Sequence, residues 1–105
     1  MKKIVISEFM DVAAVQSLQS RFHVLDEPAL VDDTPRLLRE VQDADAVIVR
    51  NRTQVRGELL AAMKKASVVG RLGVGLDNID MPACEARGMR VIPATGANAL
   101  AVAEY

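Results

Sequence analysis

Short apolar runs recur along the chain, and stretches with helical periodicity separate them. The runs are unbroken rather than alternating with polar residues, and several are rich in β-branched side chains. This pattern is typical of parallel strands that are buried on both faces. The sequence therefore predicts five strands, at Ile4–Ile6, His23–Leu25, Ala46–Val49, Ser67–Val69 and Val91–Ile92.

Helix signals fall between the predicted strands. Carboxylates and hydroxyls that can cap a helix precede several of these stretches, and apolar residues then recur every three or four positions. A glycine follows the fourth stretch, where a left-handed residue commonly ends a helix. The predicted helices follow Asp11 (burying Val15, Leu18 and Phe22), Thr34-Pro35 (Leu37, Leu38 and Val41), Thr53 (Leu59, Leu60 and Met63), Asp80 (to about Arg87, with Gly88 as the end) and Asn98.

The alternation of strand and helix predicts the fold class. Five consecutive β-α units with right-handed crossovers form an α/β domain, a flavodoxin-like doubly wound five-stranded parallel sheet in the order 2-1-3-4-5. A length of 105 residues is that of one domain. The last helix has a start signal at Asn98 but reaches Tyr105 without an end signal, so we expect the chain to be part of a longer protein.

Composition excludes several classes of protein. With 13 basic and 14 acidic residues the formal net charge is −1, which removes the electrostatic case for a nucleic-acid binder. No apolar run approaches the length of a membrane span or of a signal peptide. Cys84 is the single cysteine and His23 the single histidine, so neither a disulfide nor a common zinc site is expected. We expect a cytoplasmic protein.

The loop after the predicted fourth strand carries the clearest binding signal. In open parallel sheets, ligands bind outside the carboxyl ends of the strands. Gly73, Val74 and Gly75 can expose backbone N–H groups there, in a turn suited to a carboxylate. Because the glycines are spaced G-x-x-G-x-G, the segment is not a dinucleotide fingerprint. The alternative interpretation is a tight chain reversal with no ligand.

Polar residues after the third and fifth strands add to this edge. Arg50, Asn51 and Arg52 follow the third strand, where a guanidinium can reach a carboxylate, phosphate or sulfonate. The alternative interpretation of the arginines is that they are solvated and bind no ligand. The alternative for Asn98 is that it only caps the helix that follows it. Glu8 is the one acidic residue expected at this edge, and no acid–base pair is evident. The pattern alone predicts an anion-binding edge of an α/β domain.

Three segments together resemble a known family. The strings V-R-N-R-T-Q-V at 49–55, V-G-R-L-G-V-G-L-D-N-I-D at 69–80 and N-A-L-A-V-A-E at 98–104 are similar to the D-isomer-specific 2-hydroxyacid dehydrogenases, and within them to the D-3-phosphoglycerate dehydrogenase branch. The resemblance runs over nearly the whole chain. It implies a substrate-binding domain at residues 1–97 and, at 98–105, the start of a helix that leads to a separate domain for NAD.

The resemblance also implies roles for individual residues. The amides of Gly73, Val74 and Gly75 would hold the substrate carboxylate, Arg50 and Asn51 would meet the distal end of the substrate, and Asn98 would lie at the hinge. The catalytic residues and the NAD site would lie outside the chain. The parent enzyme would interconvert a small 2-hydroxy acid and its 2-oxo acid by hydride transfer, and the chain alone would be inactive.

Two departures from the family pattern stand out. Alanine occupies positions 99 and 101, where serine is frequent, and Arg52 stands where a small residue is common. The added cation suggests a substrate with a second anionic group, such as a phosphate or sulfonate.

A different class of protein remains open. The chain could be a free-standing flavodoxin-like folding unit or binding module without catalysis. The apolar face at 99–102, together with the sheet face beneath it, would then be exposed and drive self-association. We also expect the parent protein to be a homo-oligomer. A receiver domain is disfavoured because the third strand ends in Arg50, and a flavin binder because aromatic residues make up only 3%.

Overall fold

The computed structural model describes residues 2–73, 75–94 and 102. Its strands form one sheet in the order β2-β1-β3-β4-β5, and all neighbouring strands are parallel. The predicted fold class and strand order are therefore confirmed. The strands are β1 (Lys3–Ile6), β2 (His23–Asp26), β3 (Ala46–Val49), β4 (Val68–Leu72) and β5 (Arg90–Ala94).

The helices of the described residues are short, and the first and the fourth begin at the predicted caps. The Asp11 carboxylate accepts hydrogen bonds from two first-turn amides, and Asp80 accepts one from Ala83 N–H. Gly88 has φ +69° after the last turn of the fourth helix, as predicted. The helices are α1 (Val12–Gln19), α2 (Thr34–Glu40), α3 (Gly57–Ala62) and α4 (Met81–Ala86), with 3₁₀ turns at Pro28–Asp32 and Val41–Asp43.

Two predicted caps are wrong. Asp33 caps α2, with its carboxylate accepting from Arg36 N–H at 3.3 Å, while Thr34 is already inside the helix. Thr53 caps no helix, because α3 begins later, after Arg56. Val55, which lies between Thr53 and α3, pairs with Ile79 in an isolated parallel bridge, and the backbone at Arg56 is still extended. This pairing between distant residues explains why the third helix begins only at Gly57.

The core lies on both faces of the sheet. Alternate side chains of each strand point to opposite faces, so unbroken apolar strands supply two cores. One face packs against α1, through Ala14, Val15 and Leu18, and the other packs against α2, α3 and α4. No helix among the described residues combines the length and the apolar character needed to cross a membrane.

Val102 covers part of the sheet face that we expected to be exposed. Its side chain is fully buried in the same core as Ile48 and the α1 residues. An ideal Cβ built at Gly70 would lie 3.0 Å from Val102 Cγ1, which is tighter than ordinary van der Waals contact, so a larger residue at this strand position would press on Val102. The expectation of an exposed face is thus wrong at Val102, and positions 99–101 lie outside the described residues. Self-association and a homo-oligomer stay predictions.

We expect Gly70→Ala to lower the free energy of unfolding by about 1–3 kcal/mol, because the added methyl group overpacks against Val102. The cost should be smaller in a Val102→Ala background, where the contacts with Val102 are removed and the contact with Ile48 Cγ1 at 3.3 Å remains. Urea denaturation of the four proteins in this double-mutant cycle measures the coupling. An equal cost of Gly70→Ala in both backgrounds would show that the two side chains do not meet.

Candidate functional site

The loops after β1, β3 and β4 lie side by side at the carboxyl edge of the sheet. Ile6 pairs with Ile48, and Val49 pairs with Arg71, so the three loops start at nearly the same height along the strands. A cavity of about 250 Å³ opens between two of these loops. Its lining brings together residues from both: Arg50, Asn51, Arg71, Leu72 and Gly73.

The glycine turn has the backbone conformation expected of it. Gly73 has φ +98° and Gly75 has φ +83°, a region that side-chain-bearing residues rarely adopt. Both glycines are exposed, and an ideal Cβ at Gly73 would lie 3.1 Å from Arg71 Nη1. Val74 lies outside the described residues. The backbone conformation therefore favours glycine at position 73, and a side chain there would also press on the Arg71 guanidinium.

Glu8 organises the loop that follows β3. Its carboxylate is buried and accepts three backbone hydrogen bonds, from Arg50 N–H at 2.8 Å, Arg52 N–H at 3.0 Å and Thr53 N–H at 2.9 Å. Burial opposes ionisation, but these hydrogen bonds outweigh it and hold the pKa of Glu8 below its ordinary value of 4.5. Glu8, the one acidic residue that the sequence placed at this edge, is therefore an ionised acceptor that holds the loop.

Asn78 holds the same loop from the other side. Its Nδ2 donates to the carbonyl oxygens of Arg50 and Thr53, both at 2.8 Å, and its Oδ1 accepts from Arg71 Nε at 3.2 Å. The side chain is 3% exposed. The sequence did not predict this role of Asn78, because no local spacing reveals which distant carbonyls a carboxamide will meet.

Thr53 acts inside this loop and not as a helix cap. Its hydroxyl lies 2.8 Å from the Ser7 hydroxyl, and both residues are buried. Together with Glu8, Ser7 joins the end of β1 to the β3 loop. The backbone that carries Arg50, Asn51 and Arg52 is thus fixed by buried partners before any ligand arrives.

Arg50 and Arg52 extend over a second cavity of about 250 Å³ on the β1 side of the loop. Arg50 Nε donates to Phe9 O at 2.6 Å, and its guanidinium lies 5.6 Å from the centroid of the Phe9 ring. Arg52 Nη2 donates to Asp32 Oδ1 at 2.5 Å in a pair that is mostly exposed to solvent. Such a pair contributes little to stability, so the guanidinium can exchange partners at low cost.

The remaining predicted residues are distributed as follows. Asn51 is exposed and lines both cavities. Asn98 lies outside the described residues. His23 pairs with Lys3 at the amino ends of the strands, away from the glycine turn. Cys84 is fully buried, and desolvation raises the pKa of its thiol. Residues 2–73, 75–94 and 102 contain no group of three His, Cys, Asp or Glu side chains suited to a metal ion.

The described glycines do not form a dinucleotide-binding turn. Gly70 is buried within β4 beside Val102 and offers no open backbone to a pyrophosphate. The helix that follows the turn, α4, begins only at Met81. A dinucleotide turn needs a helix N-terminus directly after its glycines. The described part of this edge therefore lacks the geometry of a nicotinamide dinucleotide site.

Comparison with known proteins gives close relatives over the full chain. An (S)-sulfolactate dehydrogenase from Chromohalobacter salexigens is 52% identical over 105 residues, which are 100% of this chain and 34% of that protein. A crystal structure of NAD⁺-bound 3-phosphoglycerate dehydrogenase from Entamoeba histolytica is 28% identical, with a TM-score of 0.67 over 98% of this chain and 36% of that one.

A crystal structure of a protein from Pyrococcus horikoshii OT3 shares the fold, with a TM-score of 0.76 at 24% identity over 99% of this chain and 31% of that one. The chain thus spans about a third of the length of each of these three proteins. The sequence profile described as "D-isomer specific 2-hydroxyacid dehydrogenase, catalytic domain" matches residues 4–105. This chain belongs to the D-isomer specific 2-hydroxyacid dehydrogenase family.

Proposed function

We propose that the chain is the substrate-binding part of an NAD-dependent oxidoreductase that interconverts a small, doubly anionic 2-hydroxy acid and its 2-oxo acid by hydride transfer. Residues 1–97 would form the first part of the substrate domain, and residues 98–105 would begin the helix that leads to the cofactor domain. The role of this chain would be to bind and orient the acid.

The observation that carries the proposal is the position of the glycine turn at residues 73–75 beside the arginine loop, the segment of residues 50–53 that follows β3. Gly73 and Arg50 line one cavity, so a carboxylate at the turn would place the rest of a short acid beside the arginines. Backbone amides at Gly73, Val74 and Gly75 suit a carboxylate. Asn98, at the proposed hinge, would complete this side of the substrate.

A second anionic group would meet Arg50 and Arg52. Both arginines line the neighbouring cavity, and the Glu8 carboxylate holds their backbone N–H groups. Sulfonates and phosphates bind guanidinium groups through charge-assisted hydrogen bonds. The names of two relatives support this substrate class, because sulfolactate and 3-phosphoglycerate each carry a carboxylate and a second acid group.

NAD would be held by residues outside this chain. The described glycines do not fit a dinucleotide, and among the described residues at this edge none is placed to act as a general acid or base. We therefore expect these 105 residues alone to give no change in absorbance at the reduced nicotinamide band with NADH and a 2-oxo acid. Measurable turnover by the chain itself would contradict the proposal that the cofactor site and the catalytic residues lie outside it.

Substrate profiling of the full-length protein tests the proposed substrate class. We expect kcat/KM to be higher for sulfolactate or 3-phosphoglycerate than for lactate or glycerate. Arg52→Ala should reduce this preference about tenfold and leave the singly charged acids unchanged, because one charge-assisted bond to the distal group is lost. Arg39→Ala, an exposed arginine on α2, is the matched control. Equal kcat/KM for singly and doubly charged acids in the wild type would overturn the proposal.

A further inference from the structure

The Arg71 side chain lies directly beneath the glycine turn. Arg71 is in β4 and is only 7% exposed, which is rare for a charged side chain. Its Nη1 lies 3.1 Å from the position that a Cβ at Gly73 would occupy, and its Nη2 lies 4.0 Å from the corresponding position at Gly75. The guanidinium thus occupies the space under both glycines.

Hydrogen bonds orient this guanidinium. Nη1 donates to the carbonyl oxygen of Leu72, at the start of the turn, and Nε donates to Asn78 Oδ1 at 3.2 Å. Asn78 in turn donates to the carbonyl oxygens of Arg50 and Thr53. Arg71 and Asn78 therefore connect the glycine turn to the arginine loop through buried groups.

Arg71 also borders the space on both sides of the turn. It lines the cavity shared by Arg50 and Gly73. It also lines a third cavity, of about 320 Å³, together with Gly75 and Pro93. A neutral side chain of similar length would fill the same volume. A guanidinium adds positive charge, whose attraction for an anion is strong where protein replaces water.

We propose that Arg71 is a positioning residue that supplies fixed positive charge beneath the glycine turn and so strengthens the binding of a substrate carboxylate to its amides. The inference rests on the proposed function, because it takes the turn as the carboxylate site. It goes beyond that function by assigning part of the affinity to a buried residue on the strand.

Glycolate, a 2-hydroxy acid with a single carboxylate, is the probe that isolates the turn from the distal site. The ¹⁵N-labelled full-length protein is titrated with glycolate while the amide signals of Gly73 and Gly75 are followed by NMR. Arg71→Met removes the charge and keeps much of the volume, whereas Arg71→Lys keeps the charge. Arg39→Met removes one exposed charge elsewhere and controls for net charge.

We expect the glycine signals of the wild type to shift on titration, with about tenfold weaker binding in Arg71→Met. Arg71→Lys should stay within about threefold of the wild type, and Arg39→Met should bind as the wild type does. Recovery by lysine separates a role of charge from a purely structural role. Where the methionine variant does not fold, the lysine variant alone is compared with the wild type.

The outcomes separate the inference from the proposed function. If the wild-type glycines do not respond, the turn is not a carboxylate site and the proposed function fails. If they respond but Arg71→Met binds as well as the wild type, the inference fails and the proposed function stands. Weak binding by Arg71→Lys, or the failure of both variants to fold, would show a structural role and overturn the inference.

Discussion

Replacing Glu8 with alanine is expected to lower the free energy of unfolding by about 3–5 kcal/mol. Three backbone N–H groups lose a charged acceptor, and hydrogen bonds to charged groups contribute about 1.5–3 kcal/mol each, less what water at the edge of the sheet restores. Chemical denaturation followed by circular dichroism measures the loss. In the full-length protein, the same change should weaken substrate binding because the arginine loop is no longer held.

Glu58→Ala is the matched control for this prediction. Glu58 is exposed in the first turn of α3, so its replacement should change stability by less than about 0.5 kcal/mol. Glu8→Gln should fall between the two, because the amide keeps one acceptor oxygen but turns a donor toward the loop. A Glu8→Ala protein as stable as Glu58→Ala would show that the three hydrogen bonds do not hold the loop.

The Glu8 contribution should also depend on pH. Its pKa is lower in the folded chain than the ordinary 4.5, so the folded state favours the ionised carboxylate. The stabilisation is therefore complete above the pKa of the unfolded chain and is lost as the pH falls through the folded pKa. The difference in stability between the wild type and Glu8→Gln should shrink in this acidic range. A constant difference from neutral to acidic pH would contradict the assignment.

The second large effect is expected for Asn78→Ala, with a loss of about 2–4 kcal/mol in the free energy of unfolding. The change leaves two carbonyl oxygens and the Nε of Arg71 without this partner in a buried site, and each such group costs about 1–3 kcal/mol. Thermal and urea denaturation give the value. The comparison is Asn51→Ala, since Asn51 is exposed in the neighbouring loop.

Asn78→Asp distinguishes the two sides of this site. The carboxylate keeps an acceptor for Arg71 but directs a second oxygen at the carbonyls of Arg50 and Thr53, which lose their donor. We expect this variant to be less stable than the wild type even though it can pair with Arg71. An unchanged stability would show that the bonds to the arginine loop contribute little.

Periodicity and local capping determined much of the fold. Unbroken apolar runs such as Ala46–Val49 predict parallel strands because both faces of the sheet must be covered. Asp11 and Asp80 were identifiable as caps because a cap bonds to amides two or three positions away. Alternating glycines at 73 and 75 indicated left-handed backbone for a similar reason, since conformation is a property of each residue. In all these cases the deciding interaction is short in sequence.

The arrangement of the site was decided by the tertiary structure. Glu8 bonds to Arg50 across 42 positions, and Asn78 bonds to Thr53 across 25. The sequence predicted Thr53 as a helix cap, but the fold brings its hydroxyl to 2.8 Å from the Ser7 hydroxyl instead. The sequence alone determined an α/β domain with a glycine turn and arginines at one edge. Only folding decided that Glu8, Asn78 and Arg71 hold that edge in place, because hydrogen bonds between distant segments depend on how the strands align and not on local spacing.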